Sequence, residues 1–408
     1  MAARSAVPSL LATLILLSAC TERTSGPTAI SASRTGLPFA SGLASPAWQA
    51  LGASQAIGLT PPVGSLNPLQ SAHAYALLGV AQYLAVQQAD AAAGSEGRSQ
   101  LEAERGAVAG ASAVVLTYLF PGGAQADAAL VAEQSSAGPG QPNPWFTRGE
   151  AIGRMVGAGI VTRAQSDHFG APLNPTPLGG PGYWTKNAAG TAVAGADMPG
   201  VTPWFLTSAS QFRPGAPPAY LSADFNAALA EIRSFSDTRT ADQARIAAYW
   251  ALNTGSLTAT GFWIQVATDG INARGWSERD ATHLYALLSA TMFDALIGCW
   301  DAKLTYWYIR PWQADPAIAN FTPVGRPYHP SYPSGHSCAS SSGAEVLSTF
   351  FPEDRDRLSA MVIEAGLSRM YGGIHYGFDI TAGQELGHNV ARFTIAADAS
   401  GNSVLTAH

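Results

Sequence analysis

Charge is scarce in this sequence: Asp, Glu, Lys and Arg make up 12% of its 408 residues. A formal net charge of -6 and a pI near 5.7 leave no dispersed basic excess. That excludes a polybasic surface for nucleic acid or anionic lipid, so any anion site has to be local. No run alternates apolar and polar residues strictly, which removes the signal of half-buried strands. An apolar run long enough to cross a bilayer is also missing. The stretch from Leu10 to Leu17 is too short, and the longest later run, around Gly106 to Phe120, is rich in Ala and Gly and suits a buried helix. The chain beyond its first residues is therefore expected to be soluble. Cysteine is nearly absent, with three in all.

What remains is a chain that is 47% hydrophobic and long enough to build a large core, expected as two packed domains. Arg4 followed by the short apolar stretch reads as a processing signal over residues 1–19. Leu17-Ser18-Ala19-Cys20 resembles the bacterial lipobox, whose cysteine becomes the lipidated first residue of the mature chain. The resemblance implies export to the cell envelope, with membrane contact only through a lipid on Cys20. An ordinary secretory signal with a chance cysteine is the alternative. After processing, Cys299 and Cys338 remain, and in an oxidising compartment they either pair or stay as buried free thiols.

Residues 20–66 are rich in Ser, Gly, Pro and Thr and read as a tether and loosely packed arm. Apolar positions at spacings of three and four predict helices over 68–94, 98–120 and 145–168. These make an N-terminal helical bundle over 67–235, interrupted at 170–218 by a Gly- and Pro-rich insertion that carries Trp184 and Trp204. It is either a roof over a cleft or plain connecting loop. Helices resume near Ser222 and form a C-terminal bundle over 236–400, with turns at 253–261 and 311–333. The predicted fold class is all-α, two helical bundles side by side, with a pocket built from facing helices of the C-terminal bundle.

Three segments of that bundle carry chemistry. At the end of a helix starting near Ser277, Lys303 shares a face with Met292, Leu296 and Cys299, while Asp294 and Asp301 lie on the far side. Lys303 thus points inward, and Arg310 follows about two turns on if the helix persists, although Pro311 disfavours that conformation at Arg310. Two cations facing a core cost several kcal/mol unless an anion compensates them. The second segment, Pro333-Ser334-Gly335-His336, opens a helix: Ser334 suits an N-cap, and Gly335 lets an oxyanion approach the unpaired N–H groups. In the third, Gly372 and Gly373 end the helix carrying Arg369, and His375 and Asp379 stand four residues apart on the next. The carboxylate then takes a proton from one ring nitrogen and leaves the other as a lone-pair donor.

Together the pattern K-x6-R-P, P-S-G-H, S-R-x5-H-x3-D resembles the signature of the vanadium-dependent haloperoxidase and type 2 phosphatidic acid phosphatase (PAP2) superfamily. It is matched at every position from Lys303 to Asp379, and the helical pattern upstream is similar to the larger haloperoxidase-like members. The resemblance implies that Lys303, Arg310 and Arg369, with Ser334 and Gly335, bind a tetrahedral oxyanion. With vanadate as cofactor, His375 would be the vanadium ligand held by Asp379, His336 the acid or base, and hydrogen peroxide and halide the substrates. With a phosphate ester instead, and no cofactor, His375 would attack phosphorus through a phosphohistidine and His336 would protonate the leaving alcohol. A lipoprotein that binds oxyanions without turnover is a third reading. His329 stands where such haloperoxidases vary between an aromatic residue and histidine, which leans toward bromide over chloride. A histidine at the surface, or one that only supports the groups touching the anion, is the alternative. Trp300, Tyr306 and Trp307 are expected as pocket wall, and His73, His168, His283 and His388 as structural.

Overall fold

The computed structural model describes residues 42–58, 65–93, 97–136, 143–401 and 403–406, and Cys20 lies outside them. Among the described residues the chain is all-α. The helices are α1 (Ser45–Ala56), α2 (Pro68–Ala93), α3 (Arg98–Leu119), α4 (Ala124–Ser135), α5 (Pro144–Ala164), α6 (Ala223–Thr238), α7 (Ala241–Tyr249), α8 (Thr258–Arg274), α9 (Glu278–Tyr306), α10 (Pro311–Ala314), α11 (Gly335–Phe350), α12 (Arg355–Tyr371) and α13 (Gly377–Ala399). The expected helices over 68–94, 98–120 and 145–168 are α2, α3 and α5.

Two helices stand where no helical pattern was evident. In the arm read as loosely packed, α1 buries Trp48 completely, and its first amides, Ala44 N and Ser45 N, donate to the Glu278 carboxylate at 2.6 and 2.8 Å. The capping group comes from a residue far along the chain, so local sequence gave no sign of it. Just after α3, α4 is tied down by Gln134, which accepts from Trp48 Nε1, and by Asp127, which accepts from Gln55.

Glycine sets the helix spacing. A Cβ on Gly149 or Gly153 of α5 would stand 1.9 or 2.0 Å from a carbonyl oxygen of α3, so only glycine allows the two helices to touch along their backbones. Gly79 of α2 does the same against α9, where a Cβ would lie 2.7 Å from the Tyr285 oxygen.

The central element is α9. Its 29 residues are long and apolar enough to cross a membrane, against the expectation that nothing late in the chain resembles a span, yet 94% of its apolar window is buried inside the protein. Helices α2, α11 and α13 all pack on it. The face carrying Asp294 and Asp301 is covered too, by the insertion. Asp294 accepts from the backbone N–H groups of Trp204, Phe205 and Leu206 at 2.8, 2.7 and 3.0 Å, and Asp301 pairs with Arg213 at 2.5 and 2.8 Å. One apolar core, from Leu43 through Leu405, runs through the helices on both sides of α9.

Candidate active site

The helix ends place the functional groups. At Trp307, which adopts φ +50°, α9 stops, its N–H closing on the Lys303 carbonyl at 2.9 Å. Arg310 is therefore not two turns on along the same helix but sits in extended backbone (ψ 153°) just before Pro311. The restriction that Pro imposes on its predecessor wins over helix continuation. Its side chain still turns inward and is fully buried, as is that of Lys303.

Lys303 uses all three of its hydrogens on backbone carbonyls: Pro330 at 3.0 Å, Ser331 at 2.8 Å, and Pro333. It thereby clamps the segment that leads into α11. There Ser334 is the N-cap, its hydroxyl accepting from Ser337 N at 3.3 Å, and its own N–H donates to the Asp379 carbonyl at 2.9 Å. Gly335 opens the helix against Trp300, whose ring would lie 3.3 Å from a Cβ there.

As expected, α12 ends at the glycine pair, with Gly373 at φ +74°, but His375 is not on the next helix with Asp379: α13 starts two residues beyond it, after the N-cap Tyr376. His375 Nδ1 donates to Asp379 Oδ2 at 2.8 Å. The same oxygen accepts from Ser331 Oγ at 2.6 Å and Tyr376 N at 3.2 Å. With Nδ1 carrying the proton, Nε2 holds a lone pair, which accepts from Arg310 Nη1 at 3.1 Å. Arg310 also donates Nη2 to His329 Nδ1 at 3.1 Å, Nε to the His329 carbonyl at 3.1 Å, and Nη1 to the Ile374 carbonyl at 2.6 Å. His329 is therefore a neutral acceptor behind Arg310.

Arg369, 1% exposed, donates to Ser368 Oγ at 2.9 Å and to the carbonyls of Ala247 and Trp250 at 3.3 and 2.7 Å. The carbonyls of Trp250 and Ala251 also face His336, whose Nε2 is buried and has no partner.

Electrostatics join these groups into one cluster. Burial pushes Lys303 down to about 8 and Arg310 and Arg369 each down to about 9, and Arg310 and Arg369 oppose each other's charge. Burial, with Arg310, Lys303, His329 and Arg369, drives His375 well below the ordinary histidine value. His336 falls for the same reason, burial first and then Arg369. Asp379 is raised to about 6 by burial, against the bonds and cations that favour its charge. Three buried cations thus surround one carboxylate and three neutral imidazoles, those of His329, His336 and His375. That imbalance calls for a compact anion carrying two or more charges.

All eight expected residues from Lys303 to Asp379 meet here, and His329 joins them through Arg310. Sequence reasoning missed Ser331, which holds Asp379, and the Trp250 turn that orients Arg369 and faces His336. A lone serine between prolines and a backbone carbonyl carry no motif. The insertion is no plain connecting loop, since it lies on the segments bearing Arg310 and His329. Trp184 N donates to the Trp307 carbonyl at 2.6 Å, Ile309 N to the Gly182 carbonyl at 3.1 Å, and Ala194 N to the Tyr328 carbonyl at 2.9 Å. Trp300 Nε1 donates to the Ala194 carbonyl at 2.8 Å. His73 and His283, bonded to Asp167 and Asp398 at 2.7 Å each, lie outside this network.

Residues 281–399 match the PAP2 superfamily. Over 110 residues the chain is 33% identical to a non-specific acid phosphatase of Providencia stuartii, a stretch that is 26% of this chain and 44% of that protein. Most of the chain is similar in fold to solved structures. A bacterial vanadium-dependent iodoperoxidase superposes with a TM-score of 0.73 at 22% identity, over 86% of this chain and 95% of the other. A bacterial vanadium-dependent chloroperoxidase superposes in its apo form with a TM-score of 0.65 at 13% identity, over 81% and 95% of the two chains. Its holo form gives 0.66 at 14%, over 86% and 96%.

Proposed function

Because residues 281–399 match the PAP2 superfamily and most of the chain shares the fold of vanadium-dependent haloperoxidases, we propose that this protein is a vanadate-dependent haloperoxidase, using hydrogen peroxide to oxidise halide to hypohalous acid. The observation that carries the reading is the excess of buried positive charge around His375 Nε2, a lone pair met by one cationic donor, Arg310 Nη1. The donor set fits vanadate: an imidazole lone pair, three cations, the unpaired N–H groups of an α-helix and the partnerless His336 Nε2.

His375 would hold the metal and the remaining groups its oxygens. Bound there, vanadate supplies an electrophilic centre that activates peroxide without changing its own oxidation state. Asp379 keeps the His375 proton on Nδ1, so Nε2 stays available. Arg310 releases Nε2 and turns its fork to the anion, while Arg369 adds charge from the α12 side. His336, neutral in the free cradle, gains a proton affinity once an anion lies beside it and can then move a proton to or from an oxygen. His329 accepts from Arg310 behind the cradle, and what supports bromide over chloride as the halide is its place in the family resemblance, not that bond.

A specific observation also favours acid phosphatase activity, the identity to the Providencia stuartii enzyme. In that chemistry His375 Nε2 would bond to phosphorus as the ester oxygen leaves with a proton from His336, and water would then free phosphate from the phosphohistidine.

One experiment separates the two. Metal-free protein is assayed for phosphate-ester hydrolysis, then given orthovanadate, peroxide and bromide while halogenation of a phenol dye is followed. Halogenation that is lost in His375→Ala supports the haloperoxidase. Hydrolysis that vanadate only inhibits, with no halogenation, overturns it in favour of the phosphatase.

A further inference from the structure

The two cysteines the mechanism does not use lie directly behind the anion cradle. Cys299 is on α9, one turn before Lys303, and Cys338 is in the first turn of α11, its N–H bonded to the Ser334 carbonyl at 3.0 Å. Both thiols are free and fully buried, and they flank the same Pro333–Ser334 step, each close enough to shift the other's ionisation. Cys299 Sγ also reaches the Pro333 carbonyl at 3.9 Å, an oxygen that Lys303 shares. We propose that Cys299 and Cys338 are a modification site at which peroxide closes a disulfide, joining the two helices that carry Lys303 and Ser334.

The pair is unequal. Burial works to raise the Cys299 thiol, but the neighbouring Cys338 thiol and the charges of Lys303 and Arg310 outweigh it and bring the group down. Cys338 is pushed well up, by burial first and then by Cys299. Cys299 is accordingly the attacking sulfur and Cys338 the resolving one. The Cys299 thiolate attacks one oxygen of hydrogen peroxide, the O–O bond breaks, and the departing hydroxide takes up a proton, leaving a sulfenic acid. The Cys338 sulfur then bonds to the Cys299 sulfur and expels the sulfenic oxygen as water together with its own proton. Two thiols and one peroxide give one disulfide and two waters. The chemistry needs only peroxide as oxidant. That the cradle itself attracts peroxide rests on the haloperoxidase reading, but the test does not.

The folded full-length protein is exposed to dilute hydrogen peroxide, then denatured, alkylated and mapped by peptide mass. The expected product is a Cys299–Cys338 linked peptide that a dithiol reductant reverses. In Cys338→Ser, Cys299 should accumulate added oxygen. In Cys299→Ser, Cys338 should still alkylate as a free thiol. Full alkylation of both cysteines in the peroxide-treated wild type, oxygen added to either without a link, or a link to Cys20 overturns the proposal, and none of these depends on a variant that folds or on turnover.

Discussion

Lys303 sits fully buried with no carboxylate bonded to its ammonium. Its ammonium is satisfied by three carbonyls yet still pushed down to about 8, because carbonyl dipoles do not replace a counter-charge. A depressed cation favours the fold in its neutral form, a contribution present above its ordinary value and lost as pH falls through about 8. An oxyanion reverses this by stabilising the charged form. Sulfate, which does not titrate in this range, should therefore bind with proton uptake at about pH 9, and its affinity should decline steadily between about pH 7 and pH 10. Calorimetry in two buffers of different ionisation enthalpy measures the uptake, and a buffer-independent enthalpy at about pH 9 would place Lys303 outside the binding field. Arg310 adds a second property. Parked on His375 Nε2, it occupies the lone pair that a divalent cation would seek beside a carboxylate, so a site made for anions repels metal cations before any anion arrives.

At the scale of the element, the close packing of α13 on α11 decides whether the imidazoles converge. Gly383 and Gly387 make it possible, since a Cβ on Gly387 would stand 2.3 Å from the Cys338 oxygen. Gly387→Ala should cost about 1–3 kcal/mol of stability and reduce oxyanion affinity, as α13 backs away with His375 and Asp379. Gly159→Ala on α5, with nothing within 4 Å, should be neutral or stabilising by up to about 1 kcal/mol. Equal denaturation midpoints for the two variants would contradict this. Element ends were the most legible part of the sequence, because caps are local: Ser334 before Gly335, and Gly372 and Gly373 after Arg369, each act within a few residues. The inward face of Lys303 was legible for the same reason. What escaped depends on distant partners: the Glu278 cap of α1, the Ser331 bond to Asp379 and the Trp250 carbonyl under Arg369. The partners of the far face of α9 escaped for the same reason, because the amides that meet Asp294 come from an insertion some ninety residues away.

For the molecule as a whole, the stretch of that insertion at Trp204 to Leu206 is gathered by one buried carboxylate, Asp294, with Asp301 holding Arg213 a little further on. Asp294→Ala leaves three amide hydrogens without an acceptor and should cost at least about 3 kcal/mol. Limited proteolysis should then cut within residues 198–218 before any helix. A wild-type digestion pattern would mean that the roof is held by its other contacts. The long buried helix has a wider consequence. One end of α9 reaches Ala44 and Ser45 through Glu278, and the other holds the Pro330–Pro333 turn through Lys303. The docking of Ala44 and Ser45 and the closing of the cradle thus draw on the two ends of one helix, so the oxyanion retained by a preparation reports how many of its molecules have that helix folded through to Lys303.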